Sequence, residues 1–434
     1  MVIHVVQPGD TIVSIAETYG VSVTDLFLEN GLINPNNLVV GQAIVIVIPE
    51  VTYTVLQGDS LISIAEAHGV TIMQLLRNNP HLFDRDFIYP GETLVISFNN
   101  DQGTISTNGY AYPFINTQTL RKILPFLTYL SIFNYRITEE AEIIGVDDTE
   151  IIQLAKQYGV APVMLMSTMT YQGVGDIAVA YNILNNQVLV DRLIDNIINI
   201  LKTKGYYGVN ATLQFLTEEN RKGYENYIAN LSARLNNEGY LVFASLTPWS
   251  LIDLNDFTFE KIDYTIIGKE ANAISLLTYN WGSSLGPPAA TTPVYRRREF
   301  FEYAVTMIPP EKILSGISVI GYDWTLPYEV GVSKANSLNY DSAIILASQN
   351  DAIIQFDDNS QAPYFEYVAI VSGVPIKHIV WFSDARSAEA LVKLALEYGF
   401  SGVNIWNIMQ FFSQLWLVIN SQYEIAKILP ELLI

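Results

Sequence analysis

The chain has 434 residues, of which half are hydrophobic; a length prior allows roughly two or three domains, and a large core is within reach, so wholesale disorder is excluded. Acidic residues outnumber basic ones 44 to 23, for a net charge of −21, and there is no cysteine. The acidic balance excludes a nucleic-acid partner, which needs a basic face against phosphates, and the missing thiols exclude disulfides, zinc–thiolate centres and thiol catalysis. Only 15% of residues are charged, while 26 are tyrosine. That surface suits sugar contacts or close protein packing, although a large core alone would also produce it.

The first residues, MVIHVVQPGD, lack the basic and apolar regions of a secretory signal. No apolar run approaches the roughly 20 residues that span a bilayer. Synthesis in the cytoplasm without export by the general route, and no membrane span, are therefore expected. No cofactor and no metal site are expected either.

An internal repeat follows. HVVQPGDTIVSIAETYGVSV from residue 4 aligns with YTVLQGDSLISIAEAHGVTI from residue 53. Each copy predicts strand, helix, helix, strand. A small polar residue, Thr11 or Ser60, stands where a helix N-cap belongs, and Asp10 and Asp59 are expected to cap helices as well. Gly20 and Gly69 suit the left-handed residue that ends the first helix. Both copies resemble the LysM module, a small βααβ glycan-binding domain. The resemblance implies a groove for peptidoglycan or another N-acetylglucosamine polymer. Its walls would be Gly9, Asp10, Thr11, Ile12, Asn30 and Ile33 in the first copy, and Gly58, Asp59, Ser60, Leu61, Asn79 and Leu82 in the second. Residues 1–49 and 50–98 are assigned to the two modules, and 99–107 to a polar linker.

From 108 to 434, eight short apolar strands alternate with helical stretches, the pattern of a parallel α/β fold. The strand candidates are 109–113, 127–136, 161–167, 207–215, 241–247, 273–281, 313–324 and 402–408. Eight βα units at this length favour a (β/α)8 TIM barrel, with a small α+β insertion at about 325–376. NGYAYP, LTYLSIFNYRI, LLTYNWG, PPEKILSGISVIGYDW, IVWFSDARS and GFSGVNIW look like the family-18 glycoside hydrolases, in particular the LysM-bearing cortex-lytic N-acetylglucosaminidases of bacterial endospores.

What that resemblance implies for chemistry turns on the fourth strand. The family carries Asp-x-x-Asp-x-Asp-x-Glu there; the Glu protonates the glycosidic oxygen and the last Asp orients the substrate's own acetamido group. In this chain the four places are Tyr207, Asn210, Thr212 and Gln214, and neither an amide nor a hydroxyl can supply the proton of general acid catalysis. The resemblance further implies sugar contacts from Tyr110, Tyr279, Trp281, Tyr322, Asp323, Trp324 and Trp406, the last as the floor beneath the sugar. On these residues the chain is expected to be a non-catalytic, glycan-binding pseudo-glycosidase of the spore envelope, not an enzyme. It would be made in the mother cell and laid on the spore surface, where it would bind peptidoglycan, itself or other envelope proteins. The alternative is an active N-acetylglucosaminidase that hydrolyses cortex peptidoglycan during germination.

Overall fold

The computed structural model describes residues 1–83, 85, 87–169, 176–212, 218–248, 250–253, 256–279 and 283–431. The first module comprises β1 (Val2–Val5), α1 (Ile12–Tyr19), α2 (Val23–Asn30) and β2 (Ala43–Ile46). The second repeats it as β3 (Val51–Thr54), α3 (Leu61–His68), α4 (Ile72–Asn78) and β4 (Thr93–Ser97). In each, the first and last strands pair antiparallel. Thr11 and Ser60 cap α1 and α3 by accepting from Ser14 N and Ser63 N, both at 3.0 Å. Gly20 and Gly69 end those helices at φ 68° and 67°, a conformation that a Cβ would penalise.

The barrel strands are β5 (Thr104–Ala111), β6 (Tyr129–Ile137, with the short β7, Ile143–Ile144, antiparallel on its end), β8 (Ala161–Ser167) and β9 (Gly208–Thr212), then β10 (Leu241–Leu246). After an antiparallel ribbon, β11 (Ser250–Asp253) and β12 (Asp256–Phe259), come β13 (Ala273–Leu276) and β14 (Ile313–Ser318). Five strands then form a separate antiparallel sheet: β15 (Gly321–Thr325), β16 (Asn336–Leu338), β17 (Gln355–Asp357), β18 (Ala362–Val371) and β19 (Val374–Trp381). The last barrel strand is β20 (Gly402–Trp406), and β21 (Glu424–Ile425) joins the outer side of β5. The eight strands β5, β6, β8, β9, β10, β13, β14 and β20 pair in parallel, and β5 closes on both β6 and β20. This is the closed TIM-type barrel expected from the strand count.

Two boundaries differ from those expected of the sequence. The last four residues of the stretch assigned to a linker, 104–107, already belong to β5, where buried side chains are satisfied by the barrel. Thr107 Oγ1 donates to Phe126 O, and Asn108 Nδ2 donates to Asn404 Oδ1 at 2.9 Å. The insertion begins earlier than 325 and ends later than 376. GYDW does not continue strand seven; it is β15, which pairs antiparallel with β16 and β19.

Both modules are docked on the barrel rather than tethered to it. Val39, Ala43, Val45, Val47 and Met73 share one apolar core with the barrel residues. Gln414, fully buried, donates to Ala43 O at 2.7 Å and accepts from Ala385 N at 3.0 Å. On the second module, buried Arg77 reaches Glu424 at 2.8 Å and Asn420 Oδ1 at 3.1 Å.

Between the modules lies a cleft of about 280 Å³ that Glu29 helps to line. Burial, with Asp25 one turn away, pushes the Glu29 carboxyl up to about 8; His81 and Lys122 border the same cleft. A raised folded-state pKa means that stability is lost as pH rises from the unfolded value near 4.5 toward 8. Glu29→Gln should therefore match the natural chain in urea unfolding at pH 4.5. At pH 9 it should exceed it by about 2–4 kcal/mol. Equal stability of the two at pH 9 would refute this.

Candidate active site

The barrel interior departs from the usual Val, Ile and Leu filling. Val163, Phe243 and Leu314 form a small apolar cluster in its lower half. Around and above them the strands contribute polar groups. Ser131 Oγ donates to Asn108 Oδ1 at 3.0 Å, Ser245 Oγ to Asn210 Oδ1 at 2.7 Å, and Asn210 Nδ2 to Tyr110 OH at 3.3 Å. Asn210 and Thr212 thus face the interior, as strand alternation from Val209 requires, and Thr212 Oγ1 lies 3.4 Å from Asn210 Oδ1. Buried polar groups persist only when paired, so this network is a fixed floor of uncharged donors and acceptors.

Over the floor, at the C-terminal ends of the strands where TIM-barrel sites lie, sits an aromatic box. Trp406 ends β20, and its ring lies 6.1 Å from Tyr279 at 12° from parallel. Tyr110 at 5.7 Å, Phe133 at 5.5 Å and Tyr112 at 6.3 Å surround the same indole. Trp406, Tyr112 and Phe133 stay partly exposed, while Tyr110 and Tyr279 are buried. Burial pushes the Tyr110 and Tyr279 phenols above their ordinary value, so both act as neutral hydrogen-bonding groups. Beside the box, Ser167 Oγ donates to Asn134 Oδ1 at 2.7 Å. Flat rings with neutral polar neighbours match a pyranose, whose C–H face packs on an aromatic plane while its hydroxyls are hydrogen-bonded at the rim.

Several expected sugar contacts lie elsewhere. Trp324 is 1% exposed and donates its indole N–H to Gly286 O at 2.9 Å; it packs the insertion onto the barrel. Asp323 accepts from Tyr367 OH at 2.9 Å and pairs with His378 Nδ1 at 3.0 Å. Its carboxylate therefore braces the antiparallel sheet. Tyr322, on that sheet, is partly exposed. Tyr207 precedes β9 at the foot of the barrel, where its N–H bonds Pro162 O. Gln214 and Trp281 lie outside the described residues. Of the carboxyls in the loop after strand four, Glu218 is held by Arg221 at 2.9–3.1 Å and Glu219 is exposed. Tyr112, Phe133, Asn134 and Ser167 are not evident as site residues from sequence; the only signal is their place within the last four residues of predicted strands.

The LysM assignments need a similar correction. Asn30 is 1% exposed and exchanges hydrogen bonds with both Val45 N and Val45 O; Asn79 does the same with Val95. Each asparagine locks a helix end to the last strand, and Asn79 also borders the cleft between the modules. Ile12 and Leu82 belong to the two module cores. Asp10 and Asp59 do not cap helices; they accept from Gln7 N and Leu56 N at 2.7 Å, and from His4 and Tyr53 at 2.9 Å. That ties each turn to the first strand. Gly9, Thr11, Ile33, Gly58 and Ser60 remain exposed, and Leu61 partly so.

Among the described residues no group of three or more His, Asp or Glu is placed to hold a metal. No described helix is long and apolar enough to cross a membrane.

A closed barrel whose mouth, among the described residues, is lined by aromatic and neutral polar groups, with an antiparallel insertion after the seventh strand, is the frame of a carbohydrate-processing protein. The chain belongs to the glycosyl hydrolases of family 18: residues 179–410 match that family, and residues 4–47 and 53–97 match the LysM domain. The cortical fragment-lytic enzyme of Bacillus subtilis (strain 168) is 32% identical over 433 residues, spanning 98% of this chain and 99% of that protein. Its namesake from Bacillus anthracis is 31% identical over 431 residues, covering 97% and 98%. The crystal structure of the Bacillus megaterium QM B1551 spore cortex-lytic enzyme SleL matches with a TM-score of 0.80 at 30% identity, covering 98% of this chain and 99% of that one.

These relatives are named as enzymes, which corrects the expectation, drawn from Thr212 and Gln214, of a chain without activity. Two substitutions on one strand remove one arrangement of the general acid. They do not remove the glycan-shaped mouth, and other loops around a barrel mouth can present carboxyls.

Proposed function

We propose that this chain is a spore-associated glycosidase directed at peptidoglycan, cleaving N-acetylglucosamine-containing strands of the cortex. The observation that carries this reading is the end-to-end likeness, over two modules and the barrel, to cortical fragment-lytic enzymes. The aromatic box around Trp406 supports it, because a box of neutral donors and rings suits an uncharged amino-sugar polymer. The docked LysM modules would hold the same polymer at a fixed distance from the mouth, raising its local concentration there. Thr212 and Gln214 carry no carboxyl, so the proton for the leaving group would have to come from a different group.

The test is direct. Purified chain incubated with spore cortex fragments should release new reducing ends well above a heat-inactivated control. Product analysis should place N-acetylglucosamine at those ends. No release over the control across pH 5–8 would sink the proposal.

A further inference from the structure

A second cleft, of about 490 Å³, opens at the junction of the insertion and the loop that precedes the helix Val294–Ala304. Its size falls within the range of small-molecule sites, and none of its lining residues belongs to the box around Trp406. One wall is Trp381, the last residue of β19, stacked on Tyr364 with centroids 4.6 Å apart and planes 22° from parallel. Tyr364 is fixed in turn by donating its hydroxyl to Gln355 at 2.8 Å. The opposite side presents Tyr295, 43% exposed, with the Arg296 guanidinium 5.1 Å over its ring.

Hydrogen-bonding groups surround these rings. Asp357 uses one carboxylate oxygen to cap the turn at Ser360 N, 2.7 Å away, while exposed Asn359 stands on the same turn. The Trp381 indole N–H is buried and has no acceptor among the described residues. A donor left in that state is costly in a packed core, and the residue that carries it lines the cleft.

We infer that this cleft is an accessory binding site for a neutral N-acetylhexosamine strand, separate from the mouth. The pyranose C–H faces would pack against the Trp381 and Tyr295 rings. Asp357 and Asn359 would take the hydroxyls or the acetamido N–H, for which a carboxylate and an amide have complementary acceptors and donors. The inference rests on the glycan-directed reading above only for the choice of ligand. An added site of this kind strengthens engagement of a long polymer through avidity and does little for a short one.

The experiment uses the full chain with ¹⁵N-labelled indoles, titrated with the tetramer of N-acetylglucosamine, the Trp381 resonance being assigned from Trp381→Phe. Saturable movement of that resonance, retained in a Trp406→Ala background, is the expected result. A Trp381 signal that stays still while other indoles shift overturns the inference, as does a shift that vanishes with Trp406. In parallel, Trp381→Ala should weaken retention on insoluble cortex by about 2- to 10-fold and leave cleavage of short soluble glycans unchanged. Unchanged retention counts against the site. If the natural chain cleaves nothing, the proposed activity fails, yet the indole titration still decides this site.

Discussion

Trp406→Ala is expected to lower both reducing-end release from cortex fragments and affinity for the N-acetylglucosamine tetramer by about 10- to 100-fold, a loss of about 1.4–2.7 kcal/mol of binding. The reasoning starts from position. Trp406 is the final residue of β20, so its side chain leaves the barrel at the C-terminal face, where substrates of this fold bind. Tyr279, Tyr110, Phe133 and Tyr112 hold the indole from four directions, which fixes it before any sugar arrives and saves the entropy of ordering it. Alanine removes the plane and lets the neighbouring rings lean in. The barrel should still fold, because Trp406 is only partly buried and the core below it is independent of the ring. Trp406→Phe should recover much of the loss. If alanine left both affinity and rate untouched, the box would be packing alone.

Gly41→Ala is expected to weaken the docking of the first LysM module on the barrel, with a loss of at least about 3 kcal/mol in urea unfolding. Gly41 sits at φ +86°, where any Cβ is strained at a cost of about 1–3 kcal/mol. The Cβ would also fall 1.9 Å from Ile354 O, a backbone atom that cannot move aside cheaply. Around that approach, Ile354 N donates to Val40 O at 2.9 Å and Arg386 Nη2 to Gly41 O at 3.1 Å, so both contacts are disturbed together. Gly20→Ala is the control. Its φ is equally left-handed, at 68°, but a Cβ there meets nothing within 4 Å, so it should cost only about 1 kcal/mol. Equal losses for the two variants would mean that the close approach to Ile354 contributes nothing.

Much of the architecture is written in local patterns. The GD-T/S turns fix helix starts through Thr11 and Ser60 because capping is a contact over three residues. The eight strands announce themselves by short apolar runs between helices. The insertion's edge is misplaced by sequence because GYDW reads as a continuation of ILSGIS. Only pairing with β16 and β19 turns it into a strand of another sheet, and no spacing in the sequence records which partner a strand will choose. The expected linker runs too far into β5 for a related reason: its Ser and Thr residues look solvent-bound until contacts such as that of Thr107 with Phe126 O satisfy them.

The site divides along the same line. Sequence alone determined that Asn210 and Thr212 share the inner face of strand four, since alternation is a property of one chain segment. It also determined that positions 212 and 214 hold no carboxyl and that aromatic residues crowd the strand ends. Inactivity does not follow from those two positions; that expectation is corrected by the enzymes to which the whole chain is similar. Which aromatics meet at Trp406 depends on residues more than 200 positions apart, such as Tyr110 and Trp406, while Trp324 is buried against the loop at Gly286. Gly41 against Ile354 is likewise a distant pair, and the cleft at Trp381 joins residues 288–296 to 357–381. Those contacts exist only after the barrel closes and the modules dock, because they are set by packing between segments whose separation along the chain carries no trace of it.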